Sequence, residues 1–96
     1  MSENGVFFRN PQVIFQSLGE GEEGVLLHLE TADYFSLNPT GLLIWQLIED
    51  GAGLEAIVDG ISQAIDDAPP SLRKDVEQFL GELLNRGLIG RQAETN

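Results

Sequence analysis

The segment 33-DYFSLNPTGLLIWQLIEDG-51 constrains the fold of this chain more than any other. A stretch that alternates like a strand runs into Asn38-Pro39, and an apolar run begins at once. Asn38 suits a helix N-cap, and Pro39 suits the first helical position, where its missing N–H costs nothing. The strand must therefore turn into a helix without a linker. As far as about Glu49, the apolar residues Leu42, Leu43, Ile44, Trp45, Leu47 and Ile48 spread around most of the helix circumference. A helix of that kind has to be covered on several sides, which makes Trp45 a core residue.

The elements around this junction follow from periodicity. Segments 12-QVIFQSL-18 and 24-GVLLHLE-30 read as an antiparallel hairpin over the acidic turn 19-GEGEEG-24. The segment 33-DYFSL-37 is a third strand, with Phe35 and Leu37 on one face and Tyr34 and Ser36 on the other. After a break at Asp50–Gly53, a second helix is predicted from about Leu54 to Ile65. A third follows 66-DDAPPS-71, from about Leu72 to Arg86, with Ser71 as its N-cap and Gly87 as its left-handed stop. Its stripe of Leu72, Val76, Phe79, Leu80, Leu83 and Leu84 spans roughly 140° at 100° per residue. That is wider than one neighbouring helix can cover. Leu80 and Leu84 read as core, whereas Val76 and Phe79 could be core or could rim a groove beside the third strand.

The fold class is therefore α+β: a three-stranded antiparallel sheet followed by three helices, similar to a winged helix-turn-helix. Residues 1–11 are expected to form a flexible N-terminal arm, 12–90 the domain, and 91–96 a polar tail, with fraying from residue 90.

Composition removes several classes of function. Ninety-six residues suit one domain. Sixteen acidic residues against five basic ones give a formal charge of −11, which opposes binding to nucleic-acid phosphates. Zero cysteines exclude a disulfide frame, a thiolate nucleophile and a cysteine metal cluster. No apolar run approaches the ~18 residues of a membrane span, and the N-terminus lacks the pattern of a secretory signal. A cytoplasmic protein with no membrane partner is the expectation.

Catalytic constellations are not visible. His28, the single histidine, falls in a strand, where a structural role outweighs a catalytic one. The acidic groups Asp66-Asp67 and Glu20, Glu22 and Glu23 lack the ordered spacing of a calcium loop. The glycines at 19, 21 and 24 are interleaved with glutamates and precede no P-loop lysine, so they do not cradle phosphate. No enzyme activity, metal or cofactor is expected. The segment 71-SLRKDVEQFLGELLNRG-87 balances Arg73, Lys74 and Arg86 against Asp75, Glu77 and Glu82, a poor recognition helix for DNA.

Against this background the chain resembles the PqqD-like family, small domains also called recognition elements of ribosomally made, modified peptides (RiPP recognition elements). The resemblance rests on Leu37-Asn38 after a short strand, Ile44-Trp45 in an apolar helix, Asp75-Val76, Phe79-Leu80 and Gly87-Leu88. It covers about residues 12–90. It implies three strands and three helices that bind the leader segment of a precursor peptide as an added strand, beside the third strand and third helix. The leader is then delivered to a modifying enzyme or protease. Thr40-Gly41 ahead of Ile44-Trp45 is more similar to the stand-alone subunits of lasso-peptide systems, whose partner is a leader peptidase. The branch that serves pyrroloquinoline quinone synthesis with a radical SAM enzyme is the alternative.

With that resemblance, the expected peptide-binding residues are Asp33, Tyr34, Phe35, Ser36 and Leu37 on the strand, and Val76, Phe79 and Leu83 on the third helix. Arg73 and Lys74 could read acidic leader residues or could simply solvate the helix end. A winged-helix regulator and a structural subunit that pairs its own exposed strand remain the competing classes.

Overall fold

The computed structural model describes residues 5–19, 23–49, 51–65 and 67–93. Eight elements occur in the order β1 (Gly5–Arg9), β2 (Val13–Ser17), β3 (Gly24–His28), β4 (Tyr34–Leu37), α1 (Pro39–Leu47), α2 (Leu54–Ala64), α3 (Leu72–Asn85) and β5 (Ile89–Ala93). The fold is α+β. The hairpin and third strand expected from the sequence are β2, β3 and β4, an antiparallel sheet in the order β2-β3-β4. Residues 1–4, 20–22, 50, 66 and 94–96 lie outside the described residues, and with them the centre of the acidic turn, Asp50 and Asp66.

The Asn38-Pro39 junction is built as the sequence implies. Asn38 is extended, and its side-chain oxygen accepts a 2.7 Å hydrogen bond from the Gly41 N–H. Leu37 ends the strand and Pro39 begins the helix. Ile44, Trp45 and Ile48 are buried, while Leu42, Leu43 and Leu47 are half-buried against the same cluster. Ile57 and Ile61 of α2 and Leu72, Val76, Leu80 and Leu83 of α3 complete that core, with Leu26 and Leu37 contributed by the sheet.

The end of α3 also follows the expected chemistry. Gly87 has φ of +73°, its N–H donates to Leu84 O, and the Leu88 N–H donates to Leu83 O at 2.9 Å. This is a Schellman close, which satisfies two carbonyls the helix would otherwise strand. The start of α3 differs from expectation. Ser71 makes no side-chain bond to the helix backbone, and its hydroxyl donates instead to Asp75 Oδ2 at 3.1 Å.

The largest departure is a second sheet. Residues 5–9, expected in a flexible arm, pair antiparallel with residues 89–93, of which 90–93 were expected to fray. Phe7 also exchanges two backbone hydrogen bonds with Ala52 at 2.8 and 3.1 Å, which holds the α1–α2 connection. Arg9 donates to the Trp45 carbonyl from both Nε (3.1 Å) and Nη2 (2.7 Å), and lies 4.5 Å from the indole centroid. A cation near the last turn of α1 is also well placed against the helix dipole. His28 is buried at the joint between the two sheets. Its Nδ1 accepts from the Glu30 N–H at 3.2 Å, while Asn10, 3.4 Å from Nε2, donates to Gly87 O at 2.8 Å.

Because one side-chain bond fixes the strand-to-helix corner, Asn38→Ala should cost about 1 kcal/mol. For a domain of this size that is a fall in Tm of roughly 4–8 °C, readable by thermal denaturation followed by circular dichroism.

Candidate functional site

β4 lies at one edge of its sheet, and its register defines what that edge offers. Gly24 pairs with Leu37, Val25 with Ser36, Leu26 with Phe35 and Leu27 with Tyr34. The His28 N–H donates to Asp33 O at 3.0 Å, so residues 33, 35 and 37 point their backbone groups at β3. The alternate residues, Tyr34 and Ser36, therefore direct N–H and C=O to the open side. Side chains alternate in the perpendicular sense. Phe35 and Leu37 face the helices, and Tyr34 and Ser36 face away.

A groove runs between this edge and α3. The Phe35 and Phe79 rings are 5.9 Å apart and tilted by 55°. A hollow of about 270 Å³ is lined by Glu23, Ser36, Leu37, Asn38 and Phe79. Next to it, a cavity of about 320 Å³ lies between α1 and α3, with Gly41, Ile44, Leu72, Val76 and Phe79 among its walls. The two share Asn38 and Phe79, so one ring divides a continuous depression. Gly41 permits this arrangement. A Cβ there would stand 3.0 Å from Phe79 Cζ and 3.2 Å from Asn38 Oδ1.

The structure separates the sequence-derived candidates into three groups. Phe35, Leu37 and Phe79 meet at the groove and Ser36 borders its hollow at the strand edge, whereas the Tyr34 side chain lies on the opposite face of the sheet and Asp33 precedes the strand. Val76 lines the floor of the cavity but is only 1% exposed, and Leu83 is fully buried. They support the groove from within the core and do not form its rim. Arg73 and Lys74 stand apart. Arg73 pairs with Glu55 of α2 and lies 3.9 Å from Glu77, on the flank of α3 that borders β1 and β5. Lys74 is exposed and falls opposite the buried stripe.

The cation that does reach the groove is Arg86. Its guanidinium lies 5.1 Å from the Phe35 centroid and 3.8 Å from Glu82. Sequence reasoning passed over it, although Phe79 and Arg86 sit two turns apart on one face of α3. Asn38 and Gly41 were noted only for capping and for family pattern, yet both line the cavity.

Glu55 is held below the usual carboxylate range, first by the hydrogen bond from Arg73 and then by its charge. A depressed folded-state value means the pair stabilises the fold above the ordinary carboxylate range and loses that effect as pH falls. Both side chains are largely exposed, so the contribution is screened.

These features define a class: a small α+β domain in which the edge strand β4 is set against an apolar, aromatic-lined helix groove. The chain matches the family model for coenzyme PQQ synthesis protein D (PqqD) over residues 23–89, and it belongs to that family. Its structure is similar to the solved structure of TbiB1 in complex with the TbiA(beta) leader peptide. That likeness has a TM-score of 0.77 and 34% sequence identity, and covers 91% of this chain and 99% of the other. No curated protein matches the chain. Among the described residues, no helix is long and apolar enough to cross a membrane.

Since Arg73 is engaged with α2 and away from the groove, Arg73→Ala should return Glu55 towards the ordinary carboxylate range. Carboxyl chemical shifts followed through an acid titration would show it. The same variant should bind a groove ligand within about twofold of wild type.

Proposed function

We propose that this chain is a non-catalytic module that captures the leader segment of a ribosomally made precursor peptide. The leader adds as a strand beside β4, against α3, and is presented to a leader peptidase or another modifying enzyme. The observation that carries this reading is the open edge of β4, facing the Phe35–Phe79 groove, in a fold whose 34%-identical neighbour TbiB1 is solved with a leader peptide. Strand addition draws affinity from main-chain hydrogen bonds and specificity from side-chain pockets. Tyr34 and Ser36 supply the first of these. The hollow beside Leu37 and Phe79 supplies the second, and Arg86, over the Phe35 ring, suits an acidic or polar leader residue.

Lasso-peptide maturation is the favoured pathway, on the Thr40-Gly41 and Ile44-Trp45 pattern. The description of the matched family, coenzyme PQQ synthesis, supports a second reading in which a radical SAM enzyme receives the peptide. The leader that binds decides between them.

Fluorescence anisotropy with labelled leader peptides encoded beside this chain, and the matching core peptides as controls, tests the proposal. We expect saturable binding of a leader alone at about −8 to −10 kcal/mol. Ser36→Pro removes an outward N–H without touching the β3 ladder, and Phe79→Asp places a charge in the groove. Each should weaken binding by about tenfold or more in a protein that stays folded, as full-strength circular dichroism would confirm. Phe35→Pro would be a poorer probe, because the Phe35 N–H faces β3. Undiminished affinity in both folded variants would refute the assigned groove.

A further inference from the structure

The groove uses one face of the three-stranded sheet, and among the described residues the other face keeps large apolar side chains exposed. Leu26 and His28 are buried on the inner side, so Val25 and Leu27 face outward. Their partners across the sheet are Gln16 and Ser36, and Ile14 and Tyr34. Ile14, Leu27 and Tyr34 thus form an apolar row spanning all three strands. Leu29, whose N–H donates to Gln12 O in the same register, extends it. Ile14 is 44% exposed, Leu29 55% and Tyr34 70%. Contiguous exposed apolar surface of this kind marks an interaction site in small soluble domains.

The charge around this face identifies its occupant. Exposed Glu23, Glu30 and Asp33 fringe the sheet, and residues 12–37 contain no lysine or arginine. Of the five cations, Arg9 lies on β1, Arg73 and Lys74 on α3, Arg86 at the C-cap of α3 and Arg91 on β5. A second copy of this chain would bring two acidic rims together, since a two-fold interface sets the same patch on both sides. Two molecules of −11 each would add to that repulsion. An anionic bilayer is disfavoured for the same reason. A protein surface with an apolar centre and a lysine- and arginine-rich border complements both the row and its rim.

Resting on the leader-binding reading above, we propose that this outer face docks the enzyme that acts on the bound peptide, through such an apolar, basic-rimmed patch. The geometry makes the two sites continuous. A strand added to β4 lies about 4.8 Å beyond it, and its alternate side chains emerge on the outer face beside Tyr34 and Ser36. An enzyme seated on Ile14, Leu27 and Tyr34 would therefore meet the peptide at the edge of its own footprint. The helix groove holds one side of the peptide, and the outer face offers the other.

Ile14→Asp and Leu29→Asp test this, because both side chains are exposed and neither lies on the open edge of β4. Each leader-modifying enzyme encoded beside this chain is purified and titrated by biolayer interferometry against leader-loaded wild type and both variants. Leader affinity of the variants is measured in parallel. We expect one enzyme to bind wild type with an affinity that falls as salt rises, and to lose about tenfold or more on each variant. Leader affinity should stay within about twofold. Equal enzyme binding by wild type and variants, or no enzyme binding at all, overturns the docking face while leaving leader capture intact. Absence of leader binding to wild type would instead refute the function proposed above. Concentration-dependent self-association abolished by the variants would assign the face to a second copy, and binding to phosphatidylserine vesicles would assign it to a membrane. Either result overturns the proposal.

Discussion

The hydrogen bond from the Gly41 N–H to the Asn38 side chain is a small interaction on which the layout of the groove depends. It lets β4 become α1 with one residue between them, so the strand cannot drift away from the helices. The sheet then has only one place to lie, with Leu37 driven into the core and Phe35 aimed at α3. Because α1 is apolar on most sides, α2 and α3 close around it, and the third helix arrives beside the edge of β4. The groove is a consequence of that crowding. Its ring contact, Phe35 to Phe79, joins residues 44 positions apart that no local rule would pair.

What could be read from the sequence was local in origin. Asn38-Pro39, Gly87 and the stripes of α2 and α3 each act within a few residues, and each appeared where the pattern placed it. Strand alternation likewise gave β2 to β4 and the facing of Phe35 and Tyr34. Non-local pairing was invisible. β1 and β5 are five residues each, lie at opposite ends of the chain, and carry Arg9, Arg91 and Gln92 among their apolar residues. Neither end reads as sheet alone, and only Val6, Phe7 and Phe8 hint at it. Leu88, Ile89 and the Phe7–Ala52 bridge show what the pairing achieves, which is to close the core against α2 and α3.

The misplaced cations have an equally physical cause. Arg73 and Lys74 drew attention by standing at the start of α3, but position along a helix says little about direction around it. Six residues before Phe79, Arg73 is turned about 120° away from it, whereas Arg86 is turned only about 20°. Helical phase was available in the sequence. The presence of Glu55 opposite Arg73 was not, since it depends on how α2 packs. Val76, left open between core and rim, and Leu83, expected at the rim, are both buried, because the width of the stripe reflects the number of elements crowding α3 rather than a free margin.

The division between edge and groove can be weighed in energy. Tyr34 and Ser36 each expose one N–H and one C=O, so β4 offers an incoming strand four backbone bonds. At roughly 0.5–1.5 kcal/mol net apiece, these amount to about 2–6 kcal/mol before the cost of ordering the peptide. That falls short of what a micromolar complex requires, about −8 kcal/mol. Edge pairing by itself is therefore too weak to hold a ligand, and too weak to bring together two copies that each carry a charge of −11. The shortfall can be met only by a chain whose side chains also fill the depression around Leu37 and Phe79. In the binding mode proposed above, a four-residue edge makes the groove decisive, so the same shortness that guards β4 against its own copies would make it selective for a peptide of the right apolar spacing.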